Sequence, residues 1–395
     1  MENNIIRNKI KEIQQSIDIG AIRDHSFLKG KAGILLFLAA LQNSQIIEGD
    51  SYSSDIENLA NDIIGNERMT QHNTLAGFAG VHFVFSMMHS YDLIDEADFS
   101  NFSLSSSLKQ GLSMLREGFY DYIHGGIGDG YMALRDPASV ARYREYIEEY
   151  LDVINYLLIN NNGLIYRNDF DKCVIDPTKM NLGLAHGVPS IIKFCVQCYK
   201  KGISKELSYR NAMTLIEYII NHQSANGGRS YFPYEVNLDA PEKISDEVTR
   251  LGWCYGDLTI AYMLYQAGAA FENQEITSLG LEVLKHTSKR RTFEETKVLD
   301  AGICHGSAGI SHIYNRMWRF TDDPVFKEAA DFWLQRTLEL ARYEDGIAGY
   351  KRFNPFTKEY DISYGLLEGA AGIGLVLMSH LTGDFSWDYF LMLND

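Results

Sequence analysis

Two residues that bind soft metal ions stand side by side at Cys304-His305, within Ala301-Gly302-Ile303-Cys304-His305-Gly306-Ser307-Ala308-Gly309. A thiolate and an imidazole are good donors to zinc. The pair comes just before a Gly-x-x-Gly step that opens an apolar run, Ile310 to Tyr314, in the manner of a helix entrance. Two such donors at the mouth of a helix point to a site, not to a core.

The elements that must position this pair are visible because the cassette recurs. Leu28-Lys29-Gly30-Lys31-Ala32-Gly33, Leu75-Ala76-Gly77-Phe78-Ala79-Gly80 and Ile123-His124-Gly125-Gly126-Ile127-Gly128 precede it in the chain. Ala185-His186-Gly187-Val188-Pro189-Ser190 and Cys254-Tyr255-Gly256-Asp257-Leu258-Thr259 are copies without the second glycine, and Leu367-Glu368-Gly369-Ala370-Ala371-Gly372 closes the series. The copies recur at intervals of about 50 to 70 residues, a spacing that marks repeat architectures.

Aligning the copies brings out one position. Directly before the first glycine stand Lys29, Ala76, His124, His186, Tyr255, His305 and Glu368, nearly all polar or ionisable. One place earlier, Cys254 and Cys304 occupy equivalent positions in adjacent copies. If the copies form a ring, these side chains converge on one mouth.

Between cassettes the periodicity is helical. Ala212, Leu215, Ile216, Ile219 and Ile220 form one apolar stripe over Arg210 to Gln223, and Ser139–Asn160 and Pro324–Tyr343 read the same way. After each cassette the sequence is apolar on all sides, as in Ile34 to Leu41 and Ile373 to Met378, which describes a helix buried all round. Half-wet helices alternating with buried ones predict two layers. Two longer spacers interrupt the rhythm. One contains Leu164-Ile165-Tyr166-Arg167, and the other, Asn226 to Val236, is rich in turn and β-forming residues; each is expected to form a loop or short β excursion.

The 395 residues can be absorbed by one ring of repeats, so a single domain spanning 1–395 is expected. A formal charge of -16 and the lack of a long Lys/Arg run argue against a nucleic-acid partner. Five cysteines do not read as the disulfide framework of a small secreted domain. The N-terminal Ile6, Ile10, Ile13 and Ile17 have helical spacing and lack the continuous apolar core of a signal peptide. No transmembrane segment is expected, and the expected setting is cytoplasmic.

Trp253-Cys254-Tyr255-Gly256, Cys304-His305-Gly306 and Ala185-His186-Gly187, in phase with the seven-fold repeat, resemble the lanthionine synthetase C family, the lanthipeptide cyclases. The resemblance runs from the Gly30 cassette to the Gly369 cassette. It implies an all-α fold, an α/α toroid with seven inner and seven outer helices. It also implies one Zn2+ ion held by Cys254, Cys304 and His305. The implied activity is addition of a peptide cysteine thiol to dehydroalanine or dehydrobutyrine, closing a thioether ring in a ribosomal precursor peptide. The family's acid/base histidine, aspartate and arginine map to His186, Asp121 and Arg250. The implied partners are the dehydrated precursor peptide, a separate dehydratase and an exporter. Ser190, Thr259 and Pro189 depart from the repeat and put the start of the helix after His186 in question.

The chemistry agrees with the residue types. Three protein donors are the set of a catalytic zinc, which keeps one position open, whereas structural sites fill all four. Addition to the alkene leaves an enolate whose α-carbon must be protonated, and an imidazole that titrates near neutrality suits that task. Asp121 is expected to orient His186, and Arg250 to stabilise the enolate oxygen or Asp121. Cys173, Cys195 and Cys198 read as core thiols. His124, Tyr255 and Glu368 read as lining residues, and the remaining histidines as structural or surface groups. Two other functions stay open: a toroid that binds glutathione or a partner protein without turnover, and an enzyme that adds a small thiol to dehydroamino acids.

Overall fold

A computed structural model describes residues 2–47, 52–66, 74–95, 103–169, 174–224, 229–245 and 247–394. Cys173, His72 and Asn226-Gly227-Gly228 lie outside the described residues. The described residues belong to two compact units. One draws on Met1–His72, Ala76–Ser103 and Val298–Asn394, the other on Asn73–Leu75 and Leu104–Lys297.

Each cassette opens a helix, and in every copy the first glycine is its N-cap. Gly30, Gly77, Gly306 and Gly369 cap Lys31–Ser44, Phe78–Ser90, Ser307–Thr321 and Ala370–Thr382 in the first unit. Gly125, Gly187 and Gly256 cap Gly126–Met132, Val188–Lys200 and Asp257–Ala270 in the second. A glycine offers no side chain to the free amides of a first helical turn, so those donors need another acceptor. The acceptor is the preceding loop, which folds back over the helix end. The amides of Lys31, Gly126, Ser307 and Ala370 donate to the carbonyls of Asp24, Phe119, Asp300 and Ser363, each seven residues earlier.

That fold-back explains the Gly-x-x-Gly spacing. A Cβ on the first glycine would lie 2.3 Å from the Asp24 carbonyl oxygen in the Gly30 copy and 2.0 Å from that of Arg250 in the Gly256 copy. On the second glycine it would lie 1.8 Å from the carbonyl oxygen of Ile303 in the Gly309 copy, and equally close to that of Leu366 in the Gly372 copy. Both glycines make room for the same loop. In the two copies without the second glycine, the hydroxyls of Ser190 and Thr259 donate to the carbonyls of the capping Gly187 and Gly256. The helix after His186 therefore starts at Val188, with Pro189 in the first turn, where a missing amide costs nothing.

Gly256 carries a further constraint, because its φ of 99° and ψ of -179° lie in a region open essentially to glycine alone. Gly256→Ala combines that strain with the clash on Arg250, and is expected to destabilise the fold by about 3 kcal/mol or more. Thermal unfolding checks this: a midpoint within a degree or so of the native chain would contradict it.

The cassette helices are the buried ones. Lys31–Ser44 buries every residue from Ala32 to Leu41, and Ala370–Thr382 every residue from Ala370 to Ser379. The helices between them bury one stripe: Ile56, Leu59, Ala60 and Ile63 on Ser53–Ile64, and Ala212, Leu215, Ile216 and Ile219 on Lys205–Asn221. Each half-wet helix packs on a cassette helix of its own unit, as Pro324–Glu339 does on Ser307–Thr321 and Gln274–Thr287 on Asp257–Ala270. Successive cassette helices also touch. In the first unit the order of contact is Ser307–Thr321, Ala370–Thr382, Lys31–Ser44, Phe78–Ser90, so the last copy in sequence lies against the first. The second unit has Gly126–Met132, Val188–Lys200, Asp257–Ala270 in contact order.

Three antiparallel strand pairs stand on the spacers. β1 (Arg167–Asp169) pairs with β2 (Val174–Asp176), and β3 (Lys179–Asn181) pairs with β4 (Glu235–Asn237), both in the second unit. These are the expected β excursions, although of the Leu164 to Arg167 run only Arg167 is in a strand. β5 (Arg352–Asn354) and β6 (Glu359–Asp361) form a hairpin in the first unit, in register Phe353↔Tyr360. Among the described residues no helix is long and apolar enough to cross a membrane.

Candidate active site

Several cassette loops are held to one another edge to edge by backbone hydrogen bonds. In the first unit the Ile303 and Cys304 amides donate to the Leu367 carbonyl, and the Leu366 and Leu367 amides to that of Leu28. In the second unit the Ala185 amide donates to the carbonyl of Cys254. These bonds tie together the loops just before Gly30, Gly369 and Gly306 in the first unit and before Gly187 and Gly256 in the second, next to the position that the aligned sequence singles out.

The second unit carries Asp121, His186, Arg250 and Cys254. His186 Nδ1 lies 2.7 Å from Asp121 Oδ2. The other oxygen, Oδ1, accepts the backbone amides of Ile123 and His124 at 2.8 and 2.9 Å. Asp121 is buried, whereas the His186 side chain is about one third exposed, so the imidazole is held from behind by a group that solvent does not reach. His186 is flanked by the rings of His124 at 6.3 Å and Tyr255 at 5.9 Å. Burial pushes the Asp121 carboxyl up, but the hydrogen bond and charge of His186, with the His124 amide, outweigh it and hold Asp121 below its ordinary value.

A carboxyl whose folded pKa is depressed stabilises the fold above its unfolded value of about 3.9 and loses that contribution as pH falls through the folded value. The stability gap between the native chain and Asp121→Asn is therefore expected to be full near neutrality and to close below about pH 4. Unfolding midpoints recorded across that range decide it, and a gap that widens on acidification would contradict the assignment.

Arg250 and Cys254 share one loop. The Arg250 amide donates to the Tyr234 hydroxyl at 2.6 Å, and its carbonyl lies against Gly256. The Tyr234 ring meets that of Tyr255 edge-on at 5.8 Å. Tyr255 accepts Asn181 Nδ2 at 3.0 Å, and burial raises its hydroxyl pKa to about 12, so it stays a neutral phenol. Cys254 is buried.

In the first unit Cys304 and His305 are half-buried, on the loop that leads to Gly306. Cys195 and Cys198 are fully buried on the helix Val188–Lys200, and burial raises both thiols, as befits core residues. His312 is buried against Asp388 at 2.7 Å, where it ties the C-terminal turn Ser386–Leu391 to the helix Ser307–Thr321.

Sequence reasoning missed the residues that shape these loops. Asp24, Asn181 and Asp300 each stand six residues before a capping glycine, and each accepts the amide two residues on: Ser26 at 2.7 Å, Gly183 at 2.8 Å and Gly302 at 3.0 Å. These Asx turns start the fold-back. The repeated Asp or Asn at that offset was the available signal.

With this geometry in place, comparison with known proteins is decisive about kinship. A family model described as "Lanthionine synthetase C-like protein" matches residues 3–392. The chain belongs to the lanthionine synthetase C-like family. Among its relatives in that family is "Nisin biosynthesis protein NisC" of Lactococcus lactis subsp. lactis, 23% identical over 93% of this chain and 88% of the relative. The solved structure "Nisin cyclase" superposes with a TM-score of 0.75 at 20% identity, covering 99% of this chain and 98% of that one. The lanthionine synthetase C-like chain thus has the α/α toroid fold of nisin cyclase, as the sequence led one to expect.

Proposed function

We propose that this chain is a lanthipeptide cyclase, closing thioether rings in a dehydrated precursor peptide with the help of one zinc ion. The observation that carries the reading is the family match over residues 3–392. The reading extends to the whole chain as one domain, since a single family model spans it.

Cys254, Cys304 and His305 would hold the zinc. Their donor chemistry fits, since thiolates and an imidazole are good donors to zinc. Two thiolates and one imidazole are the three protein ligands of an open catalytic site. When bound, zinc supplies a deprotonated, still nucleophilic peptide sulfur at a pH where a free thiol of pKa about 8.5 is mostly protonated.

His186 handles the proton. Asp121, kept ionised, accepts from Nδ1–H, which fixes the tautomer and leaves Nε2 as the atom that exchanges a proton with substrate. As the peptide sulfur bonds to the β-carbon of dehydroalanine, the electron pair of the alkene moves toward the carbonyl, and a proton delivered to the α-carbon completes the ring. The thiol proton is lost and the α-carbon gains one, so the product has the mass of the substrate. Arg250, four residues before Cys254, offers a permanent positive charge to the enolate oxygen or to Asp121. The dehydro residues must come from a dehydratase acting first, and the mature peptide must be exported, which makes a dehydratase and an exporter the expected partners in a cytoplasmic setting.

Incubating the chain with a dehydrated precursor peptide in the presence of glutathione tests the function. Loss of peptide thiols at unchanged mass is the expected result. Glutathione adducts would assign the enzyme to small-thiol addition, and binding without turnover would make it a scaffold.

A further inference from the structure

The β5–β6 hairpin, residues 352–361, is joined at its base to the loop that presents Cys304 and His305. Asp300 makes the joint: Oδ1 accepts the Gly302 amide at 3.0 Å within that loop, and Oδ2 accepts the Phe353 amide at 2.8 Å from the hairpin. The Tyr360 hydroxyl donates to the Leu299 carbonyl at 3.2 Å. On the other side Arg352 pairs with Glu368 at 2.6 Å, and the Glu368 backbone packs on Gly302, where a Cβ would come within 3.1 Å of it. The hairpin cannot shift without moving the loop.

Its tip is equally ordered. Asn354 Oδ1 accepts the Phe356 and Thr357 amides, Asn354 Nδ2 donates to Asp361, and the Lys358 amide closes the turn on the Asn354 carbonyl. This turn holds Phe356 outward with 95% of its surface exposed, the highest among the exposed large apolar residues described. Exposed apolar residues are ordinary when scattered. A phenyl ring presented by a braced turn on a hairpin fixed to a reactive loop is a different arrangement.

We propose that Phe356 is a positioning residue that receives an apolar side chain of the peptide substrate, adjacent to the cysteine being joined. The inference rests on the cyclase reading. The occupant is a peptide because the substrate of the cyclase reading is one, and the hairpin that carries Phe356 is hydrogen-bonded through Asp300 to the loop that presents Cys304 and His305. It is apolar at that residue because the phenyl ring offers no hydrogen bond or charge, only area to remove from water. Arg352 and Asp300 support the ring's position and do not themselves contact substrate.

Two synthetic peptides test this, each with one dehydroalanine and one cysteine, differing only in whether Leu or Ser precedes the cysteine. Affinity is measured by calorimetry on forms with Ala in place of the cysteine, and turnover by thiol loss on the cysteine forms. Phe356→Ala is expected to weaken binding of the Leu peptide by about tenfold, change the Ser peptide by less than about twofold, and be rescued by Phe356→Trp. Equal losses on both peptides, no loss on either, or failure of the native chain to bind the Leu peptide would overturn the proposal. Turnover is scored separately: discrimination in binding without ring closure by the native chain would sink the cyclase reading and leave the hairpin contact standing, and ring closure without discrimination would do the reverse.

Discussion

Replacing His186 by Asn is expected to slow ring closure by about a hundred- to ten-thousandfold, the usual contribution of a placed general acid or base. Asn is close to the imidazole in size and can still meet Asp121, so the loop that runs into Gly187 keeps its shape. Bound metal and thermal midpoint are expected to stay at native levels, and the loss is expected to fall on kcat, because in the proposed mechanism His186 acts on the α-carbon only as the ring closes. Asp121→Asn gives a smaller loss in the same direction: Asn accepts from Nδ1–H less strongly than a carboxylate and no longer balances the charge of a protonated imidazole. Native rates in His186→Asn would remove the imidazole from the mechanism.

Cys304→Ala has the other large effect. The native protein is expected to carry about one zinc per chain, and the variant to lose it. Without the ion a peptide thiol of pKa about 8.5 is only a few per cent ionised at neutral pH, which alone costs about thirtyfold. Loss of the fixed position of the sulfur beside the alkene costs more, because oriented groups react at effective concentrations far above those in solution. The combined fall is about a thousandfold or greater. Ala at the buried-to-surface boundary next to His305 removes one sulfur and no backbone hydrogen bond, since the Cys304 amide still meets the Leu367 carbonyl. Cys195→Ala supplies the contrast: it empties a core site and costs stability, with zinc and rate per folded molecule unchanged. A Cys304→Ala variant with native zinc and native rate would contradict the ligand assignment.

The repeat was legible in the sequence because it is written in glycine, and glycine stands there for a physical reason. Every first glycine is an N-cap, and the second, at Gly33, Gly128, Gly309 and Gly372, leaves space for a loop carbonyl that a Cβ would strike. The exceptions at Ser190 and Thr259 were visible as departures, but their resolution needs coordinates, because nothing in sequence shows a hydroxyl donating to the cap carbonyl. The helices were legible from apolar spacing, with ends off by a few residues: Pro324–Glu339 stops short of Tyr343, and Lys205–Asn221 starts before Arg210.

Other features were hidden. The β5–β6 hairpin has three-residue strands, too short for an alternation of apolar and polar positions to register, and it is held by Asp300 and Glu368 from elsewhere in the chain. The link between Asp121 and His186 joins residues 65 apart, and only the resemblance to a family brought them together before the hydrogen bond was seen. The Asx turns at Asp24, Asn181 and Asp300 lay open to the same alignment that found the glycines, six places upstream of them.

The most direct test of the cyclase reading is ring closure in heavy water. A dehydrated peptide, incubated with the native chain in deuterium oxide and returned to ordinary water, is expected to lose one free thiol per ring and to keep one deuterium on the α-carbon of each former dehydro residue. Fragment masses locate the label. Retention of every thiol, or thiol loss without α-deuteration, would contradict the account.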